Sequence, residues 1–315
     1  WKIKKGSSYI AKVNDEIIGV GYIDDIGISY DGNGSSIEFY MRDKTSDLVD
    51  CCWVSEAISE FKNETIENIV KTLCQPFKIS VTIDPLVQNL VKTKLENFTI
   101  DTGRSIAEII VEECAKLGVL VNTDGKGNLY LTQPTLNNIS SDILTDTNII
   151  GCEMKSSLKD RFSNYIVKAE MKLDKKYDTE QEYIIREKNG NISNRQKIED
   201  AELRGRFRPL VLMSDTAQTI EDCTKRALYE ANIRRAKSLM ISYTLEGWTE
   251  VNSGKVWKPN LLVNVKDKNL DVDELMLVNS VNLNYSNGFT TNLELVRKEC
   301  YSTSEQAIQL IKKGF

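Results

Sequence analysis

Two stretches of alternating apolar and polar residues, one near each end of the chain, carry the same pattern around a glycine-containing turn. In the first, Ile23, Ile26, Ile28 and Tyr30 lead into Asp31-Gly32-Asn33-Gly34, and Ile37 and Phe39 lead out. In the second, Val278, Val281, Leu283 and Tyr285 lead into Asn287-Gly288, and Leu293 and Leu295 lead out. Period-two alternation around such a turn predicts a β-hairpin with one buried face. The arms before the turn stand 255 positions apart (Val278 against Ile23) and those after it 256 (Leu293 against Ile37). The chain therefore reads as one hairpin written twice, with one residue of turn length between the copies. Three copies of such a chain present six similar units, which lets a three-fold object seat against a six-fold one.

Between the hairpins the apolar period changes. Ile66, Ile69, Val70 and Leu73 stand at i, i+3, i+4 and i+7, with Asn63 as N-cap, and predict an amphipathic helix ended by Pro76; Ile79, Val81 and Ile83 then alternate as a strand. Ser105 and Glu108 form a capping box ahead of a second helix with Ile106, Ile109, Ile110 and Leu117 on its buried face and Gly118 at its end. A hairpin follows, Val119–Val121 and Leu129–Leu131 around Asp124-Gly125-Lys126-Gly127. Residues 172–206 are strongly polar, with Tyr183–Ile185 as a short strand, and predict an exposed excursion. Ala217, Ile220, Cys223, Ala227 and Ala231 follow helical spacing, so Asp215–Lys237 reads as a long helix with a narrow, small-residue face suited to close packing. Alternation returns at Leu239–Leu245, and strands Leu261–Val265 and Leu275–Val296 complete a second sheet before a short helix, Ser304–Lys312.

At 315 residues the chain predicts two or three domains, and 41% hydrophobic with 28% charged residues is ordinary globular usage that excludes wholesale disorder. No apolar run reaches the ~20 residues that cross a bilayer. The first residue is Trp1, and strand-like Tyr9, Ile10 and Val13 follow almost at once, so a neighbouring strand is expected upstream in a longer protein. A net charge of −5 argues against a nucleic-acid surface, which needs clustered cations. The seven cysteines are scattered, odd in number and without a CxxC pair, so they predict reduced thiols instead of a disulfide framework or zinc site.

Candidate chemistry is sparse. Histidine is absent, which removes Ser-His-Asp and Cys-His catalysis along with the commonest metal ligand. No GxxxxGK[ST] or GxGxxG phosphate loop occurs, and Asp31–Gly34 lacks the downstream Glu and helical flanks of a calcium loop. Paired acids at Asp24-Asp25 are expected by chance among 46 Asp and Glu, and on one strand they point to opposite faces. No cofactor, metal or catalytic residue is therefore assigned, and no enzyme activity is expected. The run Arg204, Arg206, Arg208 around Phe207 either grips phosphate or a partner's acidic patch, or forms a solvated face ending at Pro209. Tyr22, Tyr40, Trp53, Trp248 and Trp257 read as core or subunit-contact anchors.

Several segments resemble the Mu-type baseplate hub family of contractile phage tails, also found in phage-tail-like bacteriocins. They are Gly21-Tyr22-Ile23-Asp24, Arg42-Asp43-Lys44-Thr45-Ser46-Asp47-Leu48-Val49-Asp50-Cys51, Thr65–Leu73 with Pro76-Phe77-Lys78-Ile79, then Gly247-Trp248, Trp257-Lys258-Pro259-Asn260 and Thr290–Val296. The family often has Gly-Arg-Ser where this chain has Met41-Arg42-Asp43, and Gly where it has Lys78. The resemblance implies an α+β, mainly antiparallel β fold with two related tube-like β-barrel domains and an α+β insertion between them. Its layout would be a first barrel over 1–62, the insertion over 63–150, a connecting region with the polar excursion and long helix over 151–238, a second barrel over 239–302 and a C-terminal helix over 303–315. It further implies a structural protein made in the bacterial cytoplasm and built into a baseplate. There a homotrimer would join the hexameric tail tube to a trimeric central spike among other baseplate proteins. A tail-associated cell-wall hydrolase and a receptor-binding module stand as alternatives. Tyr30 and Tyr285 on the repeated hairpins, with Arg204, Arg206 and Arg208, are the candidate subunit or partner contacts.

Overall fold

The computed structural model describes residues 3–54, 60–100, 103–133, 138–169, 196–199, 203, 205–214 and 220–301. The chain divides into two units, Trp1–Gln133 and Pro134–Phe315. The expected strand Tyr183–Ile185 and helix Ser304–Lys312 lie outside the described residues.

The first unit opens with an antiparallel meander of β1 (Ser8–Val13), β2 (Glu16–Asp31) and β3 (Gly34–Asp43), with β2 in the middle. Helix α1 (Ser46–Asp50), strand β4 (Glu60–Thr65), α2 (Ile66–Cys74), β5 (Val81–Ile83), α3 (Gln88–Val91), β6 (Lys94–Thr99), α4 (Ile106–Lys116), β7 (Leu120–Thr123) and β8 (Leu129–Thr132) follow. Apolar faces of α2 and α4, among them Ile66, Leu73, Ile106 and Ile110, share one core with Leu129 and Leu131 of β8. The capping box is present: Ser105 accepts the Glu108 N–H, and the Glu108 carboxylate accepts the Ser105 N–H. Asn63 is not the cap of α2. It lies within β4, which pairs with β6, and Thr65 instead accepts the Asn68 N–H at 3.2 Å. The cap shifts because Phe61 anchors residues 60–65 as a strand before the helix starts.

The Asp124–Gly127 turn explains its two glycines. Gly125 and Gly127 have φ of +71° and +80°, and a Cβ on either would stand 3.3 Å from the carbonyl oxygen of Ile18 or Val20. The β7–β8 turn thus lies directly on β2, fixing the meander to the α+β part of its unit.

The second unit contains β9 (Ile139–Thr145), β10 (Ile149–Ser156), β11 (Asn164–Ala169), β12 (Gln196–Glu199), β13 (Pro209–Ser214), α5 (Ile220–Lys237), β14 (Leu239–Glu246), β15 (Leu262–Asp267), β16 (Val272–Tyr285) and β17 (Phe289–Arg297). Six strands form one sheet in the order β10-β14-β17-β16-β15-β9. Its edge strands β9 and β10 are consecutive in sequence, separated by three residues that Asn148 ties back to Thr145 and Ile143. A corner that short between opposite edges requires the sheet to curl. Its inner face accordingly collects Leu144, Ile241, Tyr243, Val263, Val278, Leu293 and Leu295 into one core. On the outer face, Leu262, Leu277 and Val296 pack with Ala236 of α5.

The other end of α5 covers a small sheet, β12-β11-β13, through Cys223 and Ala227 against Tyr165 and Val167. The small-residue face expected of this helix is what admits it there. Free thiols are seen at all seven cysteines, with Cys74, Cys114, Cys223 and Cys300 buried and Cys52 and Cys152 exposed.

Candidate assembly surfaces

The two hairpins match more deeply than their sequences do. The expected strands pair as β2–β3 and β16–β17, and each carries a β-bulge at the same place. In the first, the register shifts between Ile23 and Asp25, opposite Met41 and Tyr40. In the second, it shifts between Val278 and Ser280, opposite Leu295 and Glu294. The extra residues, Asp24 and Asn279, stand 255 positions apart, as do the strands that hold them. Bulges re-aim side chains and act as specific features of a sheet, so a shared bulge is stronger evidence of repetition than alternation alone. The third strand pairs on the same side in both copies, with Lys12 opposite Ile17 and Asp267 opposite Val272 both 255 apart, although β1–β2 has a further register shift between Ala11 and Lys12 that β15–β16 lacks. The meander β1-β2-β3 is thus repeated as β15-β16-β17.

The returning arm differs from expectation. Met41 pairs with Ile23 and Leu295 with Val278, an offset of 254 in place of 256. The second connection is one residue shorter, Ser286–Gly288 between Tyr285 and Phe289 against Asp31–Gly34 between Tyr30 and Ser35. A slip of two positions keeps every side chain on its face.

Burial separates the copies. Val278 and its counterpart Ile23 are both buried, but Leu293 and Leu295 lie in the curled core whereas their counterparts Phe39 and Met41 are 38% and 45% exposed. Asp24 does not face Asp25 across a cleft: its carboxylate accepts from Arg42, which also donates to Asp50 at the end of α1. Hydrogen bonds to Asp50 and Asp24 hold the Arg42 guanidinium well above its ordinary pKa.

Of the predicted contacts, Tyr30 is 84% exposed near the tip of β2–β3 and Tyr285 is 69% exposed at the tip of β16–β17. Tyr285 packs on Phe289 with ring centroids 4.8 Å apart, and Phe289 meets Trp248 edge-on at 4.7 Å. Trp248 in turn donates its indole N–H to the Asn284 carbonyl at 2.9 Å. This three-ring cluster was legible only in part, since polar Thr291 separates Phe289 from the apolar positions Leu293 and Leu295 of the same alternation.

The arginine run separates. Arg204 lies outside the described residues, and Arg206 is exposed beside Phe207, itself 86% exposed. Arg208 is half-buried and engaged internally: its guanidinium donates to the Lys159 carbonyl at 2.8 Å and lies 5.4 Å from the Phe162 ring centroid. Arg234 of α5 lies at the same distance from that ring. Two cations thus lie over the Phe162 ring, which ties the 159–162 turn to the helix. Among the described residues no group of three His, Cys, Asp or Glu could hold a metal, and no helix is long and apolar enough to cross a membrane.

Comparison with known proteins agrees with this architecture. Residues 45–133 match the second domain of gp44-like baseplate hub proteins, and residues 219–304 match the fourth domain of the Mu phage baseplate assembly protein GpP. Baseplate hub protein gp44 of Escherichia phage Mu is 27% identical over 312 residues, covering 98% of this chain and 80% of the relative. The chain belongs to the Mu-type baseplate hub family. The 43 kDa tail protein of prophage MuSo2 from Shewanella oneidensis superposes on this hub with a TM-score of 0.80 at 28% identity, over 96% of the hub and 84% of that chain. A tail protein from Neisseria meningitidis MC58 shares the fold, with a TM-score of 0.76 at 18% identity over 96% of the hub and 86% of that chain. The hub is thus a structural component of a phage-type tail, as the sequence resemblance implied.

Proposed function

We propose that three copies of this hub form a ring that adapts symmetry, seating the hexameric tail tube on one side and a trimeric spike on the other. The observation that carries this reading is the meander repeated at a 255-residue offset with its bulge in register. Two similar hairpins per chain give a trimer six projecting units of one kind, which is the geometric requirement for meeting a six-fold partner. The role is mechanical: the hub passes load between tube and spike and performs no bond chemistry.

The tips bearing Tyr30 and Tyr285 are the proposed contacts, since exposed aromatics supply large contact area at low entropic cost. Arg206, exposed beside Phe207, is a further proposed contact, and so is Arg204 of the same run. Arg208 contributes indirectly, by holding the turn beside them. Native mass measurement of the purified hub, followed by mixing with tube and spike subunits, tests the proposal. A trimer that binds both supports it, and a strict monomer with affinity for neither overturns it.

A further inference from the structure

We propose that Asn287, at the tip of β16–β17, is a site of spontaneous deamidation, and that the matching tip of β2–β3 is built to resist the same reaction. Both tips present an exposed Asn-Gly pair, Asn287-Gly288 and Asn33-Gly34. In this reaction the glycine backbone nitrogen attacks the Asn side-chain carbonyl carbon. A C–N bond forms, the C–NH2 bond breaks and ammonia leaves with the amide proton. Water then opens the cyclic imide at either carbonyl to give Asp or isoaspartate, with no change of oxidation state. The step requires a glycine nitrogen that is unencumbered and free to lose its proton.

The two tips differ in that respect. The Gly34 N–H donates to the Asp31 carboxylate at 3.1 Å, and the Asn33 N–H donates to the same oxygen at 2.7 Å. A carboxylate accepting this proton holds the nitrogen away from the Asn33 side chain and disfavours the amide anion. At the other tip no hydrogen bond engages the Gly288 N–H among the described residues. Position 31 corresponds to Ser286 there, so the shorter connection has no carboxylate to provide one. Asn287 and Gly288 are both exposed, as are Asn33 and Gly34, so the tips differ in this hydrogen bond and not in solvent access. Conversion would place one new negative charge between Tyr285 and Phe289, and isoaspartate would lengthen the three-residue connection by a backbone carbon.

The inference does not depend on the proposed assembly. The free full-length hub, incubated at mildly alkaline pH and mapped by proteolysis and mass spectrometry, tests it against a denatured control. The Asn287 peptide is expected to convert several-fold faster than the Asn33 peptide in the folded chain, and Asp31→Ala is expected to narrow the gap by accelerating Asn33. Equal or faster conversion at Asn33, an Asn287 that is stable while the denatured control converts, or an Asp31→Ala chain with an unchanged Asn33 rate would each overturn it. Protection of Asn287 in a hub bound to tube subunits is a separate readout, bearing on the tip as a contact and not on the chemistry.

Discussion

Gly21 of β2 stands opposite Asp43 of β3. A Cβ built on it would stand 1.9 Å from the carbonyl oxygen of Arg42 and 2.8 and 2.9 Å from the carbonyl carbons of Arg42 and Asp43. All three are backbone atoms of a paired strand, so no rotamer change relieves the overlap. Gly21→Ala must push the strands apart, as overpacking, and loosen the ladder around Gly21 and Asp43. One to two lost backbone hydrogen bonds at about 1 kcal/mol each, added to the strain, give a loss of about 3 kcal/mol. That is roughly a hundredfold rise in the opening of the meander. Gly27 on the same strand is the control, since its Cβ would come no closer than 3.6 Å to Glu38, ordinary van der Waals contact. Gly27→Ala should be neutral or stabilise by up to about 1 kcal/mol, because glycine within a strand costs conformational entropy. Native-state hydrogen exchange of β1–β3 amides, backed by urea unfolding, reads both variants. Equal protection in the two would refute the steric account of the Gly-Tyr-Ile-Asp segment.

Leu295→Ala should destabilise the second unit by about 3 kcal/mol in thermal unfolding, as a buried Leu→Ala cavity does, while Ile28→Ala on the exposed copy should shift the midpoint little. Ser105→Ala should cost about 1 kcal/mol by removing the capping box of α4, read as a lower urea midpoint. Burial pushes the Cys74 thiol up to about 12, and burial with the nearby Glu113 carboxylate does the same to Cys114. Thiol titration of the native chain near neutral pH should therefore leave both unreactive until denaturant is added, with exposed Cys52 and Cys152 accessible from the start. Desolvation pushes the Asp124 carboxyl up, but hydrogen bonds from Asn128 and Lys126 outweigh it and hold the pKa below the ordinary value. The turn's contribution is then fully present above about pH 4 and lost as pH falls through the depressed value, so the Asp124→Asn chain should show a flatter acid-unfolding profile.

What could be read from the sequence was what local physics writes down. The two hairpins, the capping box at Ser105 and the β7–β8 turn are specified by residues within a few positions of one another. The register of the returning arm was not legible, because Thr291 occupies the inward slot that Ile37 fills in the first copy. That threonine is buried and donates its hydroxyl to the Gly247 carbonyl at 2.6 Å, so its polarity hid its position. Strand β4 escaped notice because Phe61 is its one deeply buried side chain, and the five polar residues around it imitate a helix entrance. The parallel pairings β5–β8, β9–β15 and β11–β13 join segments 45 to 123 residues apart and leave no periodic trace. The same distance concealed the contacts of Phe162, whose two arginines lie 46 and 72 positions downstream.

A length change between the repeats fell in the connection at the tip and spared the paired arms and the bulge. The ends of the two ribbons therefore mark where this polypeptide tolerates editing. A short epitope or a single reactive handle spliced in at Asn33 should leave the ladder intact, whereas one residue inserted beside Asp24 would turn the rest of that strand onto the wrong side.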